Sequence, residues 1–184
     1  MTAPSPPADL LDELPGEVMI WVLIISELLV FGAGLAVFLA LRLRDPSGFA
    51  AAQTHLHAGL AGVNTALLVT SGYLAALATR RSHAGQGARL PLAGAAALGL
   101  GFLVIKASEY AELNASGIGI EAHVFFTFYY LLTGFHAAHV AAGIVLFGLV
   151  SRFNTPQNIA TASAFWHMVD LVWVILFPVL YLLR

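Results

Sequence analysis

FFTFYYLLTGFHAAHVAAGIVLFG, Phe125 to Gly148, is an apolar run long enough to cross a bilayer, with two histidines three residues apart near its middle. At about 100° per residue, Tyr129, Thr133, His136, Val140 and Gly143 fall on one stripe, the spacing of a helix that packs against other helices. His139 lies about 60° to one side of it. A charge at the centre of a membrane helix costs about 2.5 kcal/mol or more, so ionisable groups at that depth turn toward protein or water. The rest of the chain is expected to supply their partners.

The composition places that stretch in its setting. Of 184 residues, 59% are apolar and 10% charged, against about 45–50% and about 25% in soluble domains. Five apolar segments of spanning length follow one another with short connections, so the expected fold is all-α, an integral membrane bundle of five transmembrane helices. The segments run over about 17–43, 57–78, 92–113, 124–150 and 159–183, after a short flexible lead over 1–16 in which Pro15 can open the first helix. The net charge of −2 and the lack of a basic tract argue against a nucleic-acid partner. With no cysteine, disulfides and thiolate-bound metal centres are excluded within this chain.

Each segment carries polar groups inward. Glu27 stands about 15 Å in from Glu17, and Gly34 follows seven residues later on the same face, with Gly32 beside it to permit a close contact. Two readings of Glu27 stay open, a hydrogen-bonded carboxyl facing the bundle or a proton-relay group. Arg42, Arg44, Asp45 and Pro46 mark a surface loop. In the second helix Asn64 and Ser71 share a face and can bridge to a neighbour; His55 and His57 stand at its mouth as interfacial residues. The third helix offers Ala95/Gly99 and Ala97/Gly101 as small-residue seams, then Lys106 and Glu109, which can pair locally. In the last helix His167 and Asp170 lie three apart, so the aspartate can orient its own histidine or one on a neighbouring helix. Interhelical pairs are expected among Glu109, His136, His167 and Asp170. Bis-histidine haem ligation by His136 and His167 is conceivable, but adjacent histidine pairs, phosphate-cradling loops and nucleophile–base pairs are missing, so the chain is read as holding no cofactor and no metal of its own.

Five stretches then carry a resemblance. TGFHAAHVAAG (133–143) resembles the signature of the cytochrome c oxidase subunit III family of the haem-copper oxidases. FWHMVDLVWVILFPVLYL (165–182), KASEY (106–110), GVNTALLVTSGY (62–73) and ISELLVFG (25–32) are similar to that family's other helices, in the same order. The resemblance implies an accessory subunit packed against a catalytic, haem-containing subunit of the subunit I type. That partner would hold haem with copper or iron, while this subunit stabilises it, binds phospholipid and sustains proton uptake. Glu27 matches the family's carbodiimide-reactive glutamate. The resemblance also implies a multi-pass protein of the bacterial inner membrane with a cytoplasmic N-terminus and a periplasmic C-terminus, in line with a four-to-three arginine bias toward the N-terminal side. The chain is similar to the last five helices of the seven-helix form. Five-helix forms accompany bacterial oxidases and also nitric oxide reductases, so oxygen or nitric oxide as acceptor, and cytochrome c or quinol as donor, stay open. An independent proton or solute transporter is the reading from another class; the lack of duplicated halves or paired broken helices speaks against it.

Overall fold

The computed structural model describes residues 18–153 and 155–183. The proposed lead over 1–16, with Pro15 and Glu17, lies outside the described residues. Those described form six helices: α1 (Val18–Arg44), α2 (Pro46–Gln53), α3 (Ala58–His83), α4 (Arg89–Ala115), α5 (Val124–Arg152) and α6 (Pro156–Phe177), which continues as a π-helical turn over Pro178–Leu182. All but α2 are long and apolar enough to cross a membrane. Helix α3 packs on α4 and α6, and α5 also packs on α4 and α6, which closes a ring of four. Helix α1 lies outside the ring, against α5 and α6.

Two features of the connections differ from the sequence reading. The expected surface loop after Arg44 contains α2, because Asp45 caps it by accepting from the Gly48 N–H at 3.0 Å and Pro46 occupies the first helical turn. Phe49 of α2 is buried, its ring 5.2 Å from Phe38 and 5.7 Å from Phe125, so a short apolar anchor holds the segment down. Helix α3 also continues past Ala78 through Arg80, Arg81 and His83. Basic residues at a helix C-terminus complement its dipole, and only residues 84–88 are left as a loop.

Tryptophan and glycine set the ring's close approaches. The fully buried Trp166 of α6 points between α4 and α5, where a Cβ added at Gly99 would stand 2.6 Å from the indole, and one at Gly143 would run into it as well. Of the two seams expected on α4, Ala95/Gly99 is used and Ala97 faces outward. On α1 the close contact falls to Gly34, where a Cβ would meet Leu132 at 2.7 Å, while Gly32 has open space around it.

The C-terminal turn has a covalent cause. Pro178 lacks an N–H and cannot continue the α-helical ladder; the backbone widens, and Leu183 N–H bonds to the Pro178 carbonyl at 2.9 Å, five residues back. The Leu180 carbonyl then accepts from Gln53 Nε2 of α2 at 2.8 Å, and Tyr181 turns into the interior.

At the α1–α2 corner, His123 Nδ1 accepts from the Phe125 N–H, capping α5, so its Nε2 carries the proton and faces Asp45 Oδ2 at 3.2 Å. The Gly48 backbone N–H first, and His123 second, hold the Asp45 carboxyl below its ordinary value. A depressed folded-state value means that the latch contributes above the ordinary carboxylate range and is lost only as pH falls through that lower value. Asp45→Ala is expected to speed amide exchange over residues 46–53 and 124–127 at neutral pH, and the wild type to approach the same rates only in strong acid; hydrogen-exchange mass spectrometry checks both. Gly143→Val is expected to destabilise the bundle by about 1–3 kcal/mol through overpacking against Trp166, whereas Gly32→Ala leaves the melting temperature in detergent unchanged.

Candidate functional site

Along the ring's interior the polar groups form separate clusters. The deepest is built on Lys106 of α4, exposed at only 1%. An ammonium has three donors and no acceptor, and each donor is used: to Glu109 Oε2 at 2.8 Å, to the Tyr129 hydroxyl at 3.0 Å and to the Tyr181 hydroxyl at 2.6 Å. The Tyr181 hydroxyl donates in turn to Glu109 at 2.9 Å, and Lys106 Nζ lies 4.6 Å from the Tyr129 ring centroid, within cation–π range. Thr133 gives its proton to the Tyr129 carbonyl at 2.6 Å, so the Tyr110 hydroxyl donates to Thr133 at 2.5 Å. Lys106 and Glu109 thus form the local pair that their spacing predicts. The sequence places Tyr129 on the inward stripe, but neither it nor Tyr181 is read there as a partner of this pair; the signal is that a hydroxyl within an apolar span must find a partner. A cavity of about 240 Å³, lined by Thr54, His57, Glu109, Glu112 and Ser116, leads from the end of α4 toward Glu109. His57 Nε2 and Glu112 Oε1 stand 3.0 Å apart at its rim.

A second cluster joins α1 to α5. Glu27 Oε2 lies 3.2 Å from His139 Nε2, within ion-pair reach but without the alignment of a hydrogen bond. His139 Nδ1 faces the Phe135 carbonyl at 2.8 Å and must donate to it, since a carbonyl only accepts. Nε2 is thus the ring nitrogen turned to the carboxyl. Phe31, Phe135 and Phe165 surround the imidazole, with ring centroids 5.7, 4.6 and 6.2 Å away.

His136 behaves differently. It is fully buried between Trp173, stacked at 5.2 Å, and Phe102, edge-on at 5.4 Å, and neither ring nitrogen has a hydrogen-bond partner among the described residues. Trp173 meanwhile donates to Thr65 at 3.0 Å. The expected interhelical pairs among Glu109, His136, His167 and Asp170 are accordingly not formed. Glu109 is taken by Lys106 and Tyr181, His136 by aromatic rings, and Asp170 turns to α3, where a Cβ on Gly72 would strike its carboxyl. His167 Nδ1 is 3.9 Å from Asp170 Oδ2, beyond hydrogen-bond distance. Asn64 and Ser71 do bridge α3 to α4, donating to the Phe102 and Ala95 carbonyls at 3.4 and 2.8 Å.

Two grooves flank the ring at the end where α1 begins. One, of about 640 Å³, runs between α4 and α5 past Leu92 and Phe147, with Arg89 and Arg152 at its edge. The other, of about 490 Å³, is bounded by Met19 and Leu23 of α1, Leu146 and Val150 of α5, and Phe165 of α6. No group of three or more histidine, cysteine, aspartate or glutamate side chains arranged as metal ligands occurs among the described residues.

Orphaning a buried charge typically costs about 3–5 kcal/mol, far more than the roughly 0.6 kcal/mol of an average interhelical hydrogen bond in a membrane. Lys106→Met is therefore expected to lower unfolding stability by several times the loss from Asn64→Leu. Lys106→Met combined with Glu109→Leu is expected to cost clearly less than the sum of the two single changes, measured by denaturation in mixed micelles. Strict additivity would show that the two charges are not coupled.

The comparisons with known proteins agree with this architecture. The family described as cytochrome c oxidase subunit III matches residues 17–184. The cytochrome c oxidase subunit 3 of Thermostichus vulcanus is 33% identical over 178 residues, covering 88% of this chain and 84% of its own. A probable cytochrome c oxidase subunit 3 of Mycobacterium tuberculosis is 30% identical, with 86% and 83% covered. The Corynebacterium diphtheriae cytochrome c oxidase subunit 3 is 35% identical over 140 residues, with 71% and 68% covered. A match over nearly the whole length, on a bundle of five membrane-crossing helices, makes this bacterial membrane protein a member of the cytochrome c oxidase subunit III family.

Proposed function

We propose that the chain is the non-catalytic subunit of a haem-copper oxidase that reduces oxygen, seated on the catalytic subunit, which it stabilises and whose proton uptake it supports. The observation that carries the proton-uptake reading is the Glu27–His139 contact. It brings a carboxyl and an imidazole, side chains of the kind that pass protons, to 3.2 Å across two helices inside the membrane, and both are partly accessible. A group of this kind can pass a proton on; the Lys106 ammonium, with all three of its donors engaged, serves cohesion instead. Haem and copper are assigned to the partner.

Phospholipid is the second expected companion. The α4–α5 groove combines an apolar floor with Arg89 and Arg152, a pairing suited to acyl chains and an anionic phosphate. Arg80, Arg81, Arg89 and Arg152 all lie at the end of the bundle where α1 begins, which supports a cytoplasmic N-terminus.

Mild detergent extraction of the tagged chain is expected to recover a haem-bearing partner with an oxygen-reducing optical cycle; recovery of a nitric-oxide-reducing complex would reassign the acceptor, and a haem-free chain that conducts protons in liposomes would defeat the accessory role. Glu27→Gln is expected to leave subunit stoichiometry and the haem spectrum unchanged, to abolish carbodiimide labelling of α1 and to slow proton uptake. Proton uptake at the wild-type rate would remove Glu27 from that pathway.

A further inference from the structure

We propose that the outer face of α6 on its α3 side, carrying His167, Leu171 and Val174, docks against a transmembrane helix of the catalytic subunit that presents a hydrogen-bonding side chain within the membrane span. The inference rests on the accessory-subunit reading and assigns it a surface. Most ionisable groups inside the spans are covered: the side chains of Lys106 and Glu109 are exposed at 2% and 5%, and that of His139 at 14%. His167 stands apart at 47%.

Asp170 lies behind it, its side chain 12% exposed, with one carboxyl oxygen 3.9 Å from His167 and the other buried and without a hydrogen-bond partner among the described residues. Gly72 of α3 gives that carboxyl its space, since a Cβ there would collide with it. Tyr73, the next residue of α3, is 67% exposed beside the same seam. Tyr73 lies ten residues from the end of α3 at His83, and His167 eleven residues from the start of α6 at Pro156. With these ends on one side of the membrane, each stands about 15 Å along its helix from that end, within the span. Acyl chains offer neither donors nor acceptors there, so an exposed imidazole with an exposed tyrosine on the neighbouring helix calls for a polar partner. Leu171 and Val174, exposed at 48% and 44%, supply the apolar contact that a packed helix needs around it. On α4, diagonal to α6 in the ring, the exposed Leu100 and Val104 offer only acyl-compatible surface.

The test places a photoreactive phenylalanine analogue at Leu171, Val174, Leu100 or Val104, one at a time, in the full chain in its native membrane. Irradiation is expected to link the chain to the haem-bearing subunit from 171 and 174 in several-fold higher yield than from 100 and 104. Equal yields, the reverse order, or links only to lipid or to a second copy of the chain would overturn this face while haem copurification left the accessory role standing. Failure of haem to copurify with the unmodified chain would overturn that role, and this face with it.

Discussion

An ammonium group taken out of water must have its three protons accepted, and most of the bundle's interior follows from where Lys106 finds those acceptors. One lies a turn away on its own helix at Glu109, one on α5 at Tyr129, and one beyond the end of α6 at Tyr181. The last is reachable because Pro178 breaks the α-helical ladder and the widened turn brings Tyr181 inward. The same turn presents the Leu180 carbonyl to Gln53, so α2 is tied to the closure as well. A single buried cation thus links α4, α5 and the C-terminal turn, and that turn in its own right ties in α2.

The opposite end of the ring is held by shape. Trp166 fills the space that Gly99 and Gly143 leave open between α4 and α5, and Phe147 packs on its ring at 4.8 Å. Lipid exerts no hydrophobic pull between helices, so close van der Waals packing on small residues carries cohesion here. Polar closure at one end and tight apolar packing at the other leave the ring little freedom, and both grooves lie along its outer margin.

The two histidine–carboxylate pairs have contrasting geometry. Glu27 and His139 meet across two helices within a cage of phenylalanines, whereas His167 and Asp170 share one helix, the histidine looking outward and the aspartate turned in against α3. A carboxyl facing an imidazole across two helices is suited to proton exchange. An outward histidine within the span is suited to a neighbour that can bond to it. The fully buried His136 does neither; it serves as an aromatic plate between Trp173 and Phe102.

Helical periodicity and hydropathy are local properties, so the five spans, the all-α class, the inward stripe through Tyr129, Thr133, His136, Val140 and Gly143, and the Lys106–Glu109 pair could be read from the sequence alone, as could the family through its five motifs. Partner identity across helices could not. It depends on which helices are adjacent in the ring and on how each is rotated about its axis, and a rotation of about 60° separates His136 from His139 on one helix. That difference sends His139 to Glu27 and His136 among aromatic rings, so the four-residue network expected from polarity alone does not form. The short α2 was hidden because its residues are few and their apolar anchor, Phe49, acquires meaning only against Phe38 and Phe125. Tyr181 was hidden because a π-helical turn shifts the register after Pro178. Polarity at depth shows that a side chain needs a partner; only the packing of the helices decides which one it meets.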